Sequence, residues 1–262
     1  MTARDMPRHR NSFRILTYNI HKGFSMSNRR FVLHEIKQAV IETRADILLL
    51  QEVYGEHSEW RNKLPDWPDQ SQFEFIADRL WPHHAYAKNA IYDEGHHGNA
   101  ILSKFPIMQW RNLDVSLMKK ASRSLLHAQI DCPAGRVLHL ICVHLGLFGF
   151  ERRRQMETLT DYIRREIPPD APLIVAGDFN DWLLRARKHF NAEPGLDEAF
   201  KNGAGRYARS YPSWLPMLKM DRIYSRGLET VSIEHLRGPH WRRLSDHTPL
   251  LAEFRFPDVR RV

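Results

Sequence analysis

The sequence predicts an α/β protein in which two mixed β-sheets pack together and helices cover their outer faces. Strand-like apolar runs recur between the helical segments too often for a helical bundle. The helical segments are too few for a strictly alternating parallel sheet. With 262 residues and 42% apolar content, the chain can bury one substantial core. We therefore expect a single domain over residues 13–258, preceded by a flexible basic segment at residues 1–12.

Three segments predict helices. Residues 31–44 and 151–167 place apolar side chains three and four positions apart, so that each segment has one apolar face. The second of these helices carries arginines on its other face, and two prolines follow its end. Residues 71–80 begin with Ser71, a favourable helix cap, and stop before a proline.

Ten apolar or β-prone runs predict the strands. The run at residues 46–53 is continuously apolar at its centre, which is typical of a strand that is covered on both faces. No repeat, low-complexity tract or linker interrupts the series. The predicted strands are residues 13–18, 46–53, 85–90, 99–103, 122–130, 137–144, 173–176, 220–225, 231–236 and 248–256.

Charge and cysteine content narrow the choice of partner and compartment. The formal net charge is +8 and the pI is near 9.6, which favours an anionic partner such as nucleic acid or an acidic membrane surface. The two cysteines have neither the number nor the spacing of a disulfide framework or a metal site. We find no signal-peptide core and no membrane-spanning apolar stretch, and we predict a cytoplasmic monomer, with peripheral membrane contact left open.

Polar residues follow or flank the apolar runs of many predicted strands. One such residue usually starts a turn or caps a helix, so it indicates little alone. Nine of them, without a Ser or Cys nucleophile signature, predict a polar site that is built from strand ends. They are Asn19, Glu52, Asn99, His144, Asp178, Asn180, Asp221, Asp246 and His247.

The atoms of this set restrict its chemistry. Carboxylate oxygens from Glu52 and Asp246, together with neutral amides, suit Mg²⁺ or Mn²⁺, whereas zinc sites favour His and Cys. Magnesium is therefore the predicted cofactor, with manganese as the alternative. His144 and His247 need not be ligands, since a histidine beside carboxylates has a raised pKa and can donate to a phosphoryl oxygen. The pattern favours metal-assisted hydrolysis of a phosphate ester.

Seven short motifs occur along the chain in a fixed order. They are Thr17-Tyr18-Asn19-Ile20, Leu50-Gln51-Glu52-Val53, Gly98-Asn99-Ala100-Ile101-Leu102-Ser103, Val143-His144-Leu145, Gly177-Asp178-Phe179-Asn180, Met220-Asp221-Arg222-Ile223 and Ser245-Asp246-His247. In order and spacing they resemble the endonuclease/exonuclease/phosphatase superfamily, from about Phe13 to Phe256. The chain looks like a small bacterial branch with deoxyribonuclease-like and sphingomyelinase-like motifs.

This resemblance implies a four-layered α/β sandwich with a divalent-metal site at one edge of its two sheets. Glu52 matches the principal metal ligand of the family, helped by Asn19 and Asp246. Asp178 matches the residue that orients or deprotonates the attacking water. Asn180 and Asn19 match groups that position the phosphate.

Two histidines and a carboxylate complete the matched set. His247 matches a histidine that contacts the phosphate, and Asp221 matches its carboxylate partner, which would orient the ring and favour the imidazolium. His144 matches a second histidine, which is replaced in the abasic-site repair branch, so its presence argues against a repair enzyme. The implied reaction is in-line attack by water on phosphorus without a covalent enzyme intermediate, and His144 is a candidate acid for the leaving group.

The substrate stays open between nucleic acid and phospholipid, with a phosphate monoester third. His97 belongs to a histidine pair in a glycine-flanked loop, which either contacts substrate or forms a polar turn. Arg123 either binds the phosphate of the substrate or forms an ion pair with an acidic residue on the surface. A catalytically silent binding module is disfavoured, since every motif position holds a competent residue. The predicted substrate contacts are Asn99, Arg123, His97 and Trp214.

Residues 211–218 form an apolar and aromatic segment just before Asp221. We expect this segment to pack over the strand end as part of the core. If it were exposed instead, Trp214 could stack on a base or enter a lipid interface.

Overall fold

Twelve strands make up most of the regular structure in the computed structural model, which describes residues 12–117, 122–133, 135–185, 187–190 and 195–257. The predicted N-terminal segment lies outside these residues except for Ser12, which opens the first strand, and residue 258 also lies outside them. In chain order the strands are β1 (Ser12–Asn19), β2 (Ile47–His57), β3 (His83–Tyr92), β4 (Gly95–Ser103), β5 (Ile107–Asp114), β6 (Ser124–Cys132), β7 (Arg136–His144), β8 (Leu173–Asp178), β9 (Asp197–Glu198), β10 (Asp221–Arg226), β11 (Glu229–His235) and β12 (Leu250–Arg255).

Helices and 3-10 turns connect these strands. They are α1 (Leu33–Glu42), α2 (Ser58–Lys63), α3 (Gln72–Ala77), α4 (Gly149–Glu166), α5 (Arg187–Phe190) and α6 (Ala199–Ala204), with 3-10 turns at His21–Gly23 and Trp241–Arg243. The predicted cap Ser71 forms a reciprocal capping box with Glu74 at the start of α3. Among the described residues, none of the helices has the length and apolar character needed to cross a bilayer.

The strands form two mixed six-stranded sheets. Sheet I has the order β11-β12-β1-β2-β4-β3, and sheet II has the order β5-β6-β7-β8-β10-β9. Each sheet has one parallel pair at its centre, β1 with β2 and β7 with β8, and its other pairs are antiparallel. The predicted pair of mixed sheets is confirmed.

Alternation along the central strands places successive side chains in different cores. In β2, Ile47 and Leu49 lie in the core between the two sheets. Leu48 and Leu50 lie in a second core, between sheet I and the helices α1 and α3. Sheet II and α4 enclose a third core in the same way. The protein is therefore the predicted four-layered α/β sandwich, with both sheets inside and helices outside.

Strand directions bring the predicted polar residues to one edge of the sandwich. β1 ends at Asn19, and the parallel pair β7 and β8 ends at His144 and Asp178. β10 runs opposite to β8, so it begins at this edge with Asp221, which pairs with Asp178. The segment before β12 reaches the same edge because β12 is antiparallel to β1.

Close packing of β7 against β8 requires glycine directly before Asp178. Gly177 has a φ of +145°, and a Cβ there would lie 2.0 Å from the carbonyl oxygen of Val143. A larger residue would force the two strands apart and displace the neighbouring carboxylate.

Several local features differ from the prediction, which lacked β5, β9 and the short helices α2, α5 and α6. β5 was absent from the predicted strands because it is an edge strand with mostly exposed side chains, so it lacks a continuous apolar run. The pair His96 and His97 lies within β4 and not in a loop, because the hairpin turn between β3 and β4 consists only of Asp93 and Glu94.

The apolar segment at residues 211–218 is a turn whose tip is exposed. The backbone N–H of Leu218 donates to the carbonyl of Tyr211 at 2.8 Å, so the turn closes on itself. Ser213 is buried, but Trp214 is 55% exposed. The expectation that this segment packs as core is therefore wrong for its tip, where Trp214, Leu215 and Met217 are about half exposed.

A buried ion pair holds the loop that follows β8. The guanidinium of Arg222 lies 3.3 Å from Asp181 Oδ2 and also donates to the Asp181 backbone carbonyl. Arg222 has no exposed surface and lies 5.5 Å from the ring of Phe179. This arginine of β10 thus fixes the segment that contains Asn180.

We expect Arg222→Ala to lower the free energy of unfolding by about 3–5 kcal/mol, because the buried carboxylate of Asp181 would lose the guanidinium beside it. Urea unfolding followed by tryptophan fluorescence measures the change. Arg30→Ala is the control, since the pair of Arg30 with Glu35 is exposed and should contribute less than about 1 kcal/mol. Equal losses in the two variants would contradict the prediction.

Two histidines form a buried polar pair beneath α4. The rings of His127 and His139 stack with centroids 5.2 Å apart, and His127 Nε2 lies 3.0 Å from His139 Nδ1. His127 Nδ1 lies 2.8 Å from the hydroxyl of Tyr162. Burial, with the charges of His139 and Arg111, lowers the pKa of His127 to about 4. Burial also lowers the pKa of His139.

This pair predicts a loss of stability in acid. Between the ordinary histidine pKa of 6.5 and the folded value of about 4, the unfolded chain binds a proton at residue 127 that the folded protein does not. The contribution of His127 to stability should be complete above about pH 6.5 and be lost towards pH 4. His127→Gln should make the dependence of stability on pH shallower. Urea unfolding midpoints at about pH 7 to about pH 4.5, the range between the unfolded and folded pKa values, measure this dependence. Parallel pH profiles for the two proteins would refute the assignment.

Candidate active site

Glu52 lies at a bulge in β2 where the regular ladder is interrupted. The register against β4 shifts between Leu50 and Val53, and Glu52 has a φ of +53°. Its carboxylate lies 3.3 Å from Lys22 Nζ and 4.0 Å from His144 Nε2. Burial opposes ionisation, but Lys22 and His144 outweigh it and hold the pKa of Glu52 below its usual range. Glu52 is therefore ionised at neutral pH.

Asn19 connects the two sheets at the site. Its Nδ2 lies 3.3 Å from both Glu52 Oε1 and Asp178 Oδ2. Its side-chain oxygen accepts the backbone N–H of His21 at 3.0 Å, and its backbone carbonyl accepts from Ser245 Oγ at 2.7 Å. Because Asn19 is buried and its Nδ2 contacts both carboxylates, it fixes their relative position.

His247 lies between two carboxylates of sheet II. Its Nδ1 lies 2.7 Å from Asp221 Oδ2, and its Nε2 lies 3.7 Å from Asp178 Oδ2. Burial opposes the charged ring, but Asp221 and Asp178 outweigh it and raise the pKa of His247 to about 10. The ring is therefore an imidazolium at neutral pH. Ser210 fixes the pair, since its hydroxyl donates to Asp221 Oδ2 and accepts the Asp221 N–H at 3.1 Å.

Asp178 contacts residues from both sides of the site. Its Oδ2 lies 3.7 Å from His144 Nε2, and its Oδ1 accepts the backbone N–H of Asn180 at 2.9 Å. Burial raises the pKa of this carboxyl and Asp221 adds to the rise, against the opposing charge of His247. A carboxylate with a raised pKa is better suited to accept a proton.

His144 is a neutral histidine at the same edge. Burial and the charge of Arg123 lower its pKa to about 4, although Asp178 and Glu52 act in the opposite direction. Arg123 is half-buried, and its Nε donates to the carbonyl of Leu145, the residue after His144, at 3.4 Å. The predicted phosphate-gripping arginine thus lies beside the predicted second histidine.

The two predicted asparagines besides Asn19 differ in their surroundings. Asn180 has a φ of +49°, and its Nδ2 donates to the Leu145 carbonyl at 2.9 Å, which ties the loops after β7 and β8 together. Asn99 has no exposed surface, and its Nδ2 donates to the Ser124 carbonyl at 3.0 Å. This contact joins sheet I to sheet II, and the side-chain oxygen of Asn99 has no hydrogen-bond partner among the described residues.

His97 is near the site although it lies within a strand. Burial and the charge of Lys22 lower its pKa to about 4, and Glu52 and Arg123 also act on it. Its Nδ1 lies 3.3 Å from the hydroxyl of Tyr92. His97 therefore lies close enough to Lys22, Glu52 and Arg123 for their charges to act on its ring.

Trp214 is connected to the site through its turn and not by direct contact. The neighbouring Ser213 N–H donates to the Asp246 carbonyl at 2.7 Å. The ring of Tyr211, at the start of the turn, packs on the ring of His247 with centroids 4.9 Å apart. The carboxylate of Asp246 itself is half-buried and lies 3.9 Å from His21 Nδ1.

Two groups of side chains could hold a divalent cation. Asp178, Asp221 and His247 offer ligand atoms that lie within 4.8 Å of one another. His247 Nδ1 lies 2.7 Å from Asp221 Oδ2, so its Nε2 is the ring nitrogen that could reach a metal in this group. Glu52 and Asp246 offer the hard oxygen ligands that Mg²⁺ prefers. By ligand type, the oxygens of Glu52 and Asp246 suit Mg²⁺, and by compactness the group of Asp178, Asp221 and His247 could hold a metal ion.

Several residues at the site had no role in the sequence-based prediction. Lys22 pairs with Glu52, and its position three residues after Asn19 is the signal that could have indicated it. Ser210 holds Asp221 and Ser245 bonds to the backbone of Asn19, but both lie in irregular segments without a pattern.

Comparison with known proteins covers most of the chain. The sequence model of the Endonuclease/Exonuclease/phosphatase family matches residues 16–247. The uncharacterized protein YbhP of Escherichia coli strain K12 is 45% identical over 243 residues, which are 92% of this chain and 96% of that protein.

Solved structures show a similar fold. An endonuclease/exonuclease/phosphatase from Beutenbergia cavernae has a TM-score of 0.77 at 17% identity, over 94% of this chain and 72% of that chain. The human Nocturnin catalytic domain, solved with a bound sulfate anion, has a TM-score of 0.70 at 20% identity, over 94% of this chain and 95% of that chain.

The family match extends from β1 to His247 and so includes every strand end that contributes to the site. The ordered motifs, the four layers and the convergence of their polar residues at one edge agree with it. This chain belongs to the endonuclease/exonuclease/phosphatase family.

Proposed function

We propose that this protein is a divalent-metal-dependent phosphodiesterase that hydrolyses its substrate by in-line attack of water on phosphorus. The observation that carries the proposal is the buried carboxylate of Asp178 only 3.7 Å from the imidazolium of His247. The carboxylate of Asp178 can accept a proton from water, while the imidazolium of His247 neutralises charge on the phosphoryl oxygens. Family membership supports hydrolysis of a phosphate ester.

The side chains around Asp178 are proposed to orient water and phosphate. Asp178 orients and deprotonates the water, while the Asn180 N–H holds its other oxygen at 2.9 Å. His247, oriented by Asp221, donates from Nε2 to a non-bridging oxygen. The amides of Asn180 and Asn19 position the same group.

Magnesium is the proposed cation, with manganese as the alternative. Glu52 and Asp246 would hold it, and Asn19 is the third proposed ligand, although its nitrogen faces the carboxylates. A bound divalent cation neutralises charge on the phosphate and stabilises the leaving oxygen.

His144 is the proposed proton donor to the leaving group. Without substrate its ring is neutral, because burial and Arg123 lower its pKa to about 4. A phosphate anion beside the ring would raise this pKa and favour the protonated form. Arg123 and His97 are proposed to contact the substrate from the same side.

The proposed substrate is an anionic phosphodiester, from either nucleic acid or phospholipid, and a phosphate monoester is the third candidate. The net charge of +8 supports an anionic partner without choosing between nucleic acid and phospholipid.

The single domain, the monomeric state and the cytoplasmic location stay predictions from the sequence.

Asp178→Asn should lower kcat for the soluble diester bis(p-nitrophenyl) phosphate by about 10²–10⁴-fold, because an amide cannot accept the proton of the attacking water. The assay uses Mg²⁺, with EDTA as the blank. Asp161→Asn removes an exposed carboxylate of α4 and should keep wild-type activity. Nearly full activity in the Asp178 variant would exclude it as the base.

Glu52→Gln should weaken Mg²⁺ binding by about tenfold or more, because a neutral amide replaces an ionised oxygen ligand. Isothermal titration calorimetry of the substrate-free protein measures the affinity directly. Glu35→Gln, at an exposed glutamate of α1, should bind Mg²⁺ like the wild type. If the Glu52 variant kept the wild-type affinity, the metal would have to lie elsewhere.

A further inference from the structure

We propose that the rim of this site docks on an anionic phospholipid membrane, so that the phosphodiester of a lipid headgroup enters the site. The inference rests on the proposed phosphodiesterase function and names its substrate class. It is carried by apolar and basic side chains on the loops that are joined to the catalytic residues.

The first part of the rim, called lip 1, consists of residues 147–153 and 181–185, which follow β7 and β8. Its large apolar side chains point away from the cores and are between 38% and 58% exposed. Apolar groups on surface loops around a site are characteristic of an interaction surface. They are Leu147, Phe148, Phe150, Trp182 and Leu183.

Lip 1 is fixed to the catalytic strands. The N–H of Leu145 donates to the Asp178 carbonyl at 2.9 Å at the base of the lip. Arg152 donates to the carbonyls of Gly146 and Leu147, and its guanidinium lies 5.0 Å from the ring of Trp182. Because these bonds hold the loop in place, binding would cost little ordering of the chain.

The second part, called lip 2, consists of residues 211–218 and the adjoining turn Trp241–Arg243. Trp214, Leu215 and Met217 are about half exposed at its tip. The Ser213 hydroxyl lies 3.3 Å from the Arg242 carbonyl, which joins the two segments. The hydrogen bond of Ser213 to Asp246 and the packing of Tyr211 on His247 attach lip 2 to the site.

Both lips also carry exposed arginines. Arg153 and Arg185 belong to lip 1, and Arg242 and Arg243 belong to lip 2. A cavity of about 550 Å³ beside Leu145 and Asp181 is lined by arginines of lip 1. Anionic headgroups attract such residues while the apolar side chains enter the interface.

The composition of the lips favours lipid over nucleic acid. A surface for single-stranded nucleic acid uses aromatic rings, because bases stack on them. Of the eight exposed apolar side chains of the lips, four are aromatic and suit either partner, since Trp and Phe also enter a bilayer interface. The other four carry no ring for base stacking, whereas they partition well into the interface of a bilayer. They are Leu147, Leu183, Leu215 and Met217.

Co-sedimentation of the full chain with vesicles tests the docking. In EDTA, the wild type should bind vesicles of phosphatidylglycerol and phosphatidylcholine about tenfold or more tightly than vesicles of phosphatidylcholine alone. The double variants Phe148→Ser/Phe150→Ser and Leu215→Ser/Met217→Ser should each weaken binding about tenfold. Melting temperatures close to that of the wild type show that these variants are folded.

Trp110→Ser is the matched control. Trp110 is 48% exposed and lines a small polar cavity with Tyr162 and Glu166, near the C-terminal end of α4. Lip 1 lies at the other end of this helix, which has 18 residues and is about 27 Å long. This variant should bind vesicles as the wild type does.

Equal vesicle binding by the wild type and both lip variants would overturn the proposal. A second outcome would also overturn the proposal. In it, the wild type binds a single-stranded oligonucleotide but not vesicles, and the lip variants lose the oligonucleotide binding. The soluble diester assay reports on the phosphodiesterase separately, because its substrate needs no membrane. Hydrolysis without vesicle binding refutes the docking alone, whereas lip-dependent vesicle binding without hydrolysis supports the docking and refutes the proposed function.

Discussion

Compensation of buried negative charge is the constraint on which the site depends. Glu52, Asp178 and Asp221 lie at one edge of the sandwich, and a buried carboxylate without a donor or a cation is very unfavourable. Asn19 bonds to the first two, and His247 lies between the last two. Asn19 ends β1 and His247 precedes β12, both strands of sheet I, whereas Asp178 and Asp221 belong to sheet II. The packing of the sheets and the chemistry of the site therefore cannot be changed independently.

The fold and most of the site could be predicted because both follow from side-chain patterns along strands. Apolar runs mark strands that are buried on both faces, and the polar residue after such a run must lie at a sheet edge. Asp178 after residues 173–176 is one example. Ser210 and Ser245 could not be predicted, since their contacts depend on irregular backbone. β5 could not be predicted because an exposed edge strand has no apolar run.

The turn at residues 211–218 shows a different limit of the same reasoning. Apolar residues are usually buried, so the sequence suggested core packing. The turn closes through its own backbone bonds and places Tyr211 on His247, which leaves its tip in water. The same short segment thus supports the reactive histidine on one side and exposes apolar surface on the other. Composition alone cannot distinguish these two sides.

The left-handed backbone of the site also bears on how the protein can evolve. His21, Lys22, Glu52 and Asn180 all have φ between +47° and +59°, a region that costs a side-chain-bearing residue about 1–3 kcal/mol. Glycine at these positions would relieve the strain and remove the functional group. Selection for heat resistance alone would therefore drive the catalytic edge towards glycine, so thermostable variants that keep their activity must gain stability elsewhere in the molecule.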